Sequence, residues 1–198
     1  MSGTSKVTRT EIEKILAHAH DLGINSIDTA PIYGSSEKIL GAIGVKNWNI
    51  ITKLSSVPEN CNNVCDWVQT EVKTSLKNLN VDCIDTLLLH RPEQLETSFG
   101  CEIFEALERL RSSGYVRKHG FSAYNVNEIQ RYLSRHDFNV IQAPINVIDK
   151  NLIVSGVASQ LKQEGRIVQA RSIFLQGLLL SKHHQETRKF NQWKPVWE

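Results

Sequence analysis

The chain has 198 residues, 40% of them hydrophobic and 22% charged, with a formal net charge of +2. This is a globular composition rather than a disordered one. The balanced charge gives no basic face for nucleic acid, and no apolar run reaches the roughly 20 residues of a membrane-spanning helix. Met1 to Glu11 is polar and unlike a signal peptide. Four cysteines (Cys61, Cys65, Cys83 and Cys101) do not make a disulfide framework in a chain of this size. The expectation is a soluble, cytoplasmic protein without a membrane or nucleic-acid partner.

Helical and strand patterns alternate along the chain. Thr10 to Leu22 places Ile12, Ile15, Leu16, Ala19 and Leu22 on one helical face, and Gly23 supplies the stop. A strand is predicted at Ser26 to Ala30, a short helix at Ser36 to Ile43 and a strand at Asn49 to Leu54. Val64 to Leu79 is a long helix with Val64, Trp67, Val68, Val72, Leu76 and Leu79 inward. Cys83 to His90 is a strand apolar on both faces, as a covered parallel sheet requires. Then follow a helix from Gly100 to Ser113, a strand from Val116 to Ala123, a helix from Val126 to Arg135 and a strand from Val140 to Asn146. A helix from Asn151 to Glu164 and a last strand from Ile167 to Phe174 complete the pattern.

Strands that alternate with helices imply a parallel sheet, because each crossover needs its own helix. An open dinucleotide-binding sheet would carry G-x-G-x-x-G after its first strand, and this chain has no such run. Polar residues at the C-terminal ends of the strands favour a (β/α) barrel, which places its chemistry at that rim. Three consecutive strand ends offer Asp28, Lys53 and His90, and Tyr33 lies five residues past Asp28. Singly, each has a plain structural reading: a turn or helix cap, a solvated strand end, a core histidine, a loop-packing phenol. Together they form a proton-transfer cluster. A phenol is a poor acid–base group at its ordinary pKa of about 10, and a neighbouring ammonium held by a carboxylate makes it a better one.

The stretch from Gly23 to Ala30 with Asp28, then Tyr33-Gly34, Ser36-Glu37 and Leu40-Gly41, resembles the aldo-keto reductases. So do Thr52-Lys53, Asp85 with Leu89-His90-Arg91-Pro92, the run from Gly114 to Arg117, and Gly120-Phe121-Ser122. The resemblance implies an α/β fold of the (β/α)8 TIM-barrel type, in which Asp28, Tyr33, Lys53 and His90 match the catalytic tetrad. It implies reduction of a small-molecule aldehyde or ketone, with hydride from NADPH (NAD remaining open) and a proton from Tyr33. On the cofactor side Ser122 and Gln142 match residues that hold the nicotinamide carboxamide. Ala123 stands where many members have Asn. Arg171 and Ser172 stand where many carry a tyrosine that stacks on the ring, so Arg171 either substitutes for it or is a solvated surface arginine.

Cys61-x₃-Cys65 lacks the spacing and the second pair of a zinc ribbon, so no metal is expected. His183-His184 lies in a polar stretch without partner acids, and Trp193 and Trp197 flank Pro195 near the end. Arg117-Lys118-His119 is expected to face solvent or the rim. By the resemblance, residues 1–198 form a single, partial barrel domain with the equivalents of strands two to seven present and the first and eighth missing. A chain of 198 residues is short beside a barrel of about 250. The alternative is a non-catalytic barrel remnant that self-associates through exposed sheet edges or binds a partner there. A barrel lyase or isomerase that reuses Lys53 and His90 is disfavoured by the Asp28 to Tyr33 spacing.

Overall fold

The computed structural model describes residues 7–180. Six parallel strands form one sheet in sequence order: β1 (Ser26–Asp28), β2 (Asn49–Leu54), β3 (Ile84–Leu89), β4 (Val116–Ser122), β5 (Val140–Pro144) and β6 (Ile167–Arg171). Helices run between them: α1 (Arg9–Asp21) before β1, α2 (Ser36–Ile43), α3 (Val64–Leu79), α4 (Gly100–Ser112), α5 (Val126–Leu133), then α6 (Asn151–Val154) and α7 (Val157–Gln163) before β6. The sheet curls into part of a barrel: Gln142 on β5 reaches Asp28 on β1, with three strands between them. This is the α/β architecture of the TIM-barrel type.

Local chemistry sets the helix ends. Thr8 and Glu11 form a reciprocal capping box on α1, and Asn63 and Asn125 cap α3 and α5 by accepting from the backbone N–H three residues on. The segment read as one helix from Asn151 to Glu164 is two. Leu152, Val157 and Leu161 keep the apolar spacing and are buried, but Gly156 adopts φ 79° and breaks the hydrogen-bond ladder. The strand read to Phe174 ends at Arg171, because Ser172 turns into the left-handed region at φ 57°.

Alternation along the strands divides two cores. Residues on the convex face (Leu54, Leu87, Leu89, Phe121 and Ile141) pack with α3, α4 and α5 through Val68, Val72, Leu107 and Ile129. Each such side chain contributes about 1.5–3 kcal/mol when fully buried. On the concave face Ile51, Leu88 and Val140 form a smaller cluster. Trp67 is only half-buried, and α1 buries no residue against the described part of the chain: Ile15 and, just past the helix end, Leu22 are exposed.

The triplet Arg117-Lys118-His119 does not face solvent as a unit. Alternation sends Lys118, which pairs with Asp85 at 3.4 Å, and His119 to opposite faces, His119 to the convex side. There the imidazole is completely buried between Phe104 and Phe138 and shares a 2.7 Å hydrogen bond with Glu108 of α4. His183, His184, Trp193, Pro195 and Trp197 lie outside the described residues.

Candidate active site

The register carries polar side chains to the C-terminal rim of the concave face. Lys53 pairs with Leu88, which pairs with Gly120, which pairs with Val140. One layer further, Ser122 pairs with Gln142 and Gln142 with Gln169. A side-chain period of two therefore places Lys53, Ser122, Gln142 and Gln169 on one surface.

Asp28, Tyr33, Lys53 and His90 come together there. Lys53 is 5% exposed, and its Nζ donates to Asp28 Oδ1 and, at 3.1 Å, to the Thr29 carbonyl. The same ammonium lies 5.2 Å from the centroid of the Tyr33 ring, which meets the His90 ring edge-on at 6.5 Å. Tyr33 arrives from a short 3₁₀ turn, Pro31–Tyr33, after β1, and half of its surface is open to solvent. Two contacts between hydroxyl and side-chain groups fasten that loop: Thr29 Oγ1 with Ser36 Oγ at 3.0 Å, and buried Thr52 donating to buried Glu37 at 2.8 Å. Burial, then the Lys53 ammonium, then the Arg91 guanidinium push the His90 imidazole below its ordinary pKa.

Gln142, 3% exposed, donates from Nε2 to Asp28 Oδ2 at 2.7 Å and faces Gln169 Oε1 at 3.5 Å. Arg171 donates to the Ala123 carbonyl at 3.1 Å and lies 4.5 Å from the Tyr124 ring centroid. One face of its guanidinium is thus already occupied, while its buried Nε has no hydrogen-bond partner among the described residues. Ser122 is buried at the end of β4, and Ser172 is exposed past the end of β6. Gln169, Thr29 and Tyr124 were not singled out from sequence. The parity of β6 relative to β5 points to Gln169, but only once the register is known.

The arrangement offers a buried ammonium held by a carboxylate, an accessible phenol beside it, and an imidazole with little tendency to take a proton. Next to them stand a hydroxyl, two carboxamides and a guanidinium. Such a set can deliver a proton to an oxygen on which negative charge develops and can hold an amide-bearing anionic ligand. Among the described residues, no group of three or more His, Cys, Asp or Glu is placed to hold a metal ion, and no helix is long and apolar enough to cross a membrane.

Comparison with known proteins identifies the family. Residues 1–196 match the model of the aldo/keto reductase family. The chain is 30% identical over 159 residues to the aldo-keto reductase YhdN of Bacillus subtilis, covering 73% of this chain and 46% of that protein. It is 29% identical over 191 residues to the NADH-specific methylglyoxal reductase of Escherichia coli, covering 85% and 57%. The chain spans about half the length of the curated relatives it matches. Among solved structures, an aldo-keto reductase from Bacillus halodurans superposes with a TM-score of 0.73 at 25% identity, over 87% of this chain and 60% of that one. Six parallel strands, a polar cluster at their C-terminal rim and a family match that runs almost end to end lead to one assignment: the chain belongs to the aldo/keto reductase family.

Proposed function

We propose that this chain carries the catalytic centre of a nicotinamide-dependent carbonyl reductase that turns a small aldehyde or ketone into an alcohol. The observation that carries this reading is the Lys53 ammonium, bound to Asp28 and 5.2 Å from the Tyr33 ring. Tyr33 gives its phenolic proton to the carbonyl oxygen as charge builds there. Lys53, held by Asp28, favours the phenolate that remains. His90, kept neutral at pH 7, donates a hydrogen bond to the same oxygen and orients it.

The residues at the ends of β4, β5 and β6 fit the cofactor. The Ser122 hydroxyl and the Gln142 carboxamide suit the nicotinamide carboxamide. The unpartnered Nε of Arg171 and the exposed Ser172 suit the anionic remainder. When bound, the reduced nicotinamide supplies the hydride. Arg171 already lies against Tyr124, so phosphate binding is the better reading of its role than stacking on the nicotinamide. The Escherichia coli relative is named for NADH, so NADH and NADPH are to be titrated side by side. The free thiols of Cys61, Cys65, Cys83 and Cys101 suit a reducing compartment such as the cytoplasm.

Tyr33→Phe tests the assignment. It is expected to lower the rate of carbonyl reduction by at least about 100-fold while cofactor binding persists. An unchanged rate removes Tyr33 as proton donor.

A second reading, self-association through a sheet edge, is favoured by β6. Among the described residues β6 pairs only with β5, and Ile167, Ile173 and Phe174 are exposed on or beside it. A monomer across a broad concentration range in sedimentation experiments would exclude this reading.

A further inference from the structure

Gln142 is a buried side chain that touches both Asp28 and Gln169, and its orientation has a chemical reason. Its terminal Nε2 is 2.7 Å from Asp28 Oδ2, and the other oxygen of that carboxylate is engaged by Lys53. An ionised carboxylate only accepts hydrogen bonds, so the NH₂ end of the Gln142 carboxamide has to face it. The reverse orientation would set a carbonyl oxygen against a carboxylate oxygen. Gln169 Oε1 lies 3.5 Å from the same nitrogen, but a carboxamide can turn either end to its neighbour, so the carboxylate alone sets the orientation. The carboxylate therefore claims the donor end. Gln142 Oε1 accepts no hydrogen bond among the described residues, so it is the acceptor left for a ligand.

We propose that Asp28 is a positioning residue for Gln142: by holding the NH₂ end it fixes the carbonyl end as the group presented, and so selects a ligand amide that donates a hydrogen bond over an isosteric ligand that cannot. The inference rests on the nicotinamide reading above and adds to it the residue that sets discrimination at the carboxamide. A buried acceptor left without a donor costs free energy, whereas a side chain free to turn over could offer its NH₂ instead.

The test compares binding of NADP⁺ with binding of its 3-acetylpyridine analogue, in which a methyl group replaces the carboxamide NH₂ with no change in charge. Titrations followed by calorimetry read binding without turnover. The unmodified protein is expected to bind the analogue about tenfold more weakly. In Asp28→Asn the carbonyl oxygen stays with the Lys53 ammonium and the NH₂ faces Gln142, which can then turn its own NH₂ toward the ligand, so the preference is expected to disappear. In a Gln142→Met background the same Asp28→Asn change is expected to leave the ratio unmoved, because the residue it acts through is gone.

A preference that survives Asp28→Asn overturns the proposal. So does an Asp28→Asn effect of equal size in the Gln142→Met background, since it would then act as a charge and not through Gln142. If the unmodified protein binds neither dinucleotide, the nicotinamide reading itself fails and the inference falls with it. Should Asp28→Asn fail to fold, hydrogen exchange of the Gln142 side-chain amide in the unmodified, ligand-free protein decides. Slow exchange is expected, and exchange at the rate of an exposed amide overturns the proposal.

Discussion

Burial holds the His119 imidazole below its ordinary pKa, even though its hydrogen bond with Glu108 pulls the other way. Burial acts on Glu108 in the opposite sense, and hydrogen bonds from Arg111 and His119 outweigh it and lower that carboxyl overall. His119 is therefore neutral in the fold at pH 7, with Nε2–H donating to Glu108 and a buried Nδ1 that has no partner among the described residues. In the unfolded chain the same ring titrates near its ordinary value of about 6.5. Above that value both states are neutral and the group adds no pH dependence. As the pH falls through about 6.5 the unfolded state takes up the proton first, and stability drops until the folded ring titrates too. His90 and His136 are shifted the same way by burial and steepen the fall. Thermal melts from pH 7.5 down to 5.5 are expected to show a declining midpoint, with a smaller decline in His119→Phe. The shifted His90 has a kinetic counterpart: the acid limb of kcat/KM is expected to lie below the ordinary imidazole value.

Asp28, Lys53 and His90 were legible in the sequence because each closes an apolar strand, and Tyr33 because it follows Asp28 at a short, fixed interval. His119 was misread because three basic residues in a row were judged by composition. Alternation along β4 sends its neighbours to opposite faces and buries the middle of an aromatic cluster around the third. Gln169 and the tie between Gln142 and Asp28 were not legible, since they follow from how far the sheet curls. No single strand encodes that quantity.

At the scale of elements, α2 decides where the Tyr33 loop sits, and its position depends on one close approach. Gly41 lies so near α3 that an added Cβ would be 2.0 Å from the Asn78 carbonyl oxygen. Gly41→Ala must therefore move α2 or α3. The expected cost is about 1–3 kcal/mol, or roughly 2–10 °C in Tm for a chain of this size. Because Glu37 on the same helix holds Thr52, next to Lys53, cofactor-independent changes at the site should accompany the loss. Tyr33 fluorescence or its chemical shift in the variant provides the check. The division between α6 and α7 was hidden for a related reason. The apolar spacing of Leu152, Val157 and Leu161 continues across Gly156 as if one helix were present, and only the glycine's left-handed backbone reveals the break.

At the scale of the molecule, the order β1 to β6 means that every strand pairs with the one made just before it. A chain emerging from the ribosome N-terminus first can add each βα unit to a sheet already begun, closing one crossover at a time. The hydrogen bond between Asp28 and Gln142 is different in kind, since it joins residues 114 apart in the sequence. The sheet can therefore be well advanced while the rim is still unfinished. Asp28 waits through the synthesis of four more strands before the side chain that completes its surroundings exists. A nascent chain stopped short of β5 would therefore lack the carboxamide that faces Asp28, whatever part of the sheet it had formed.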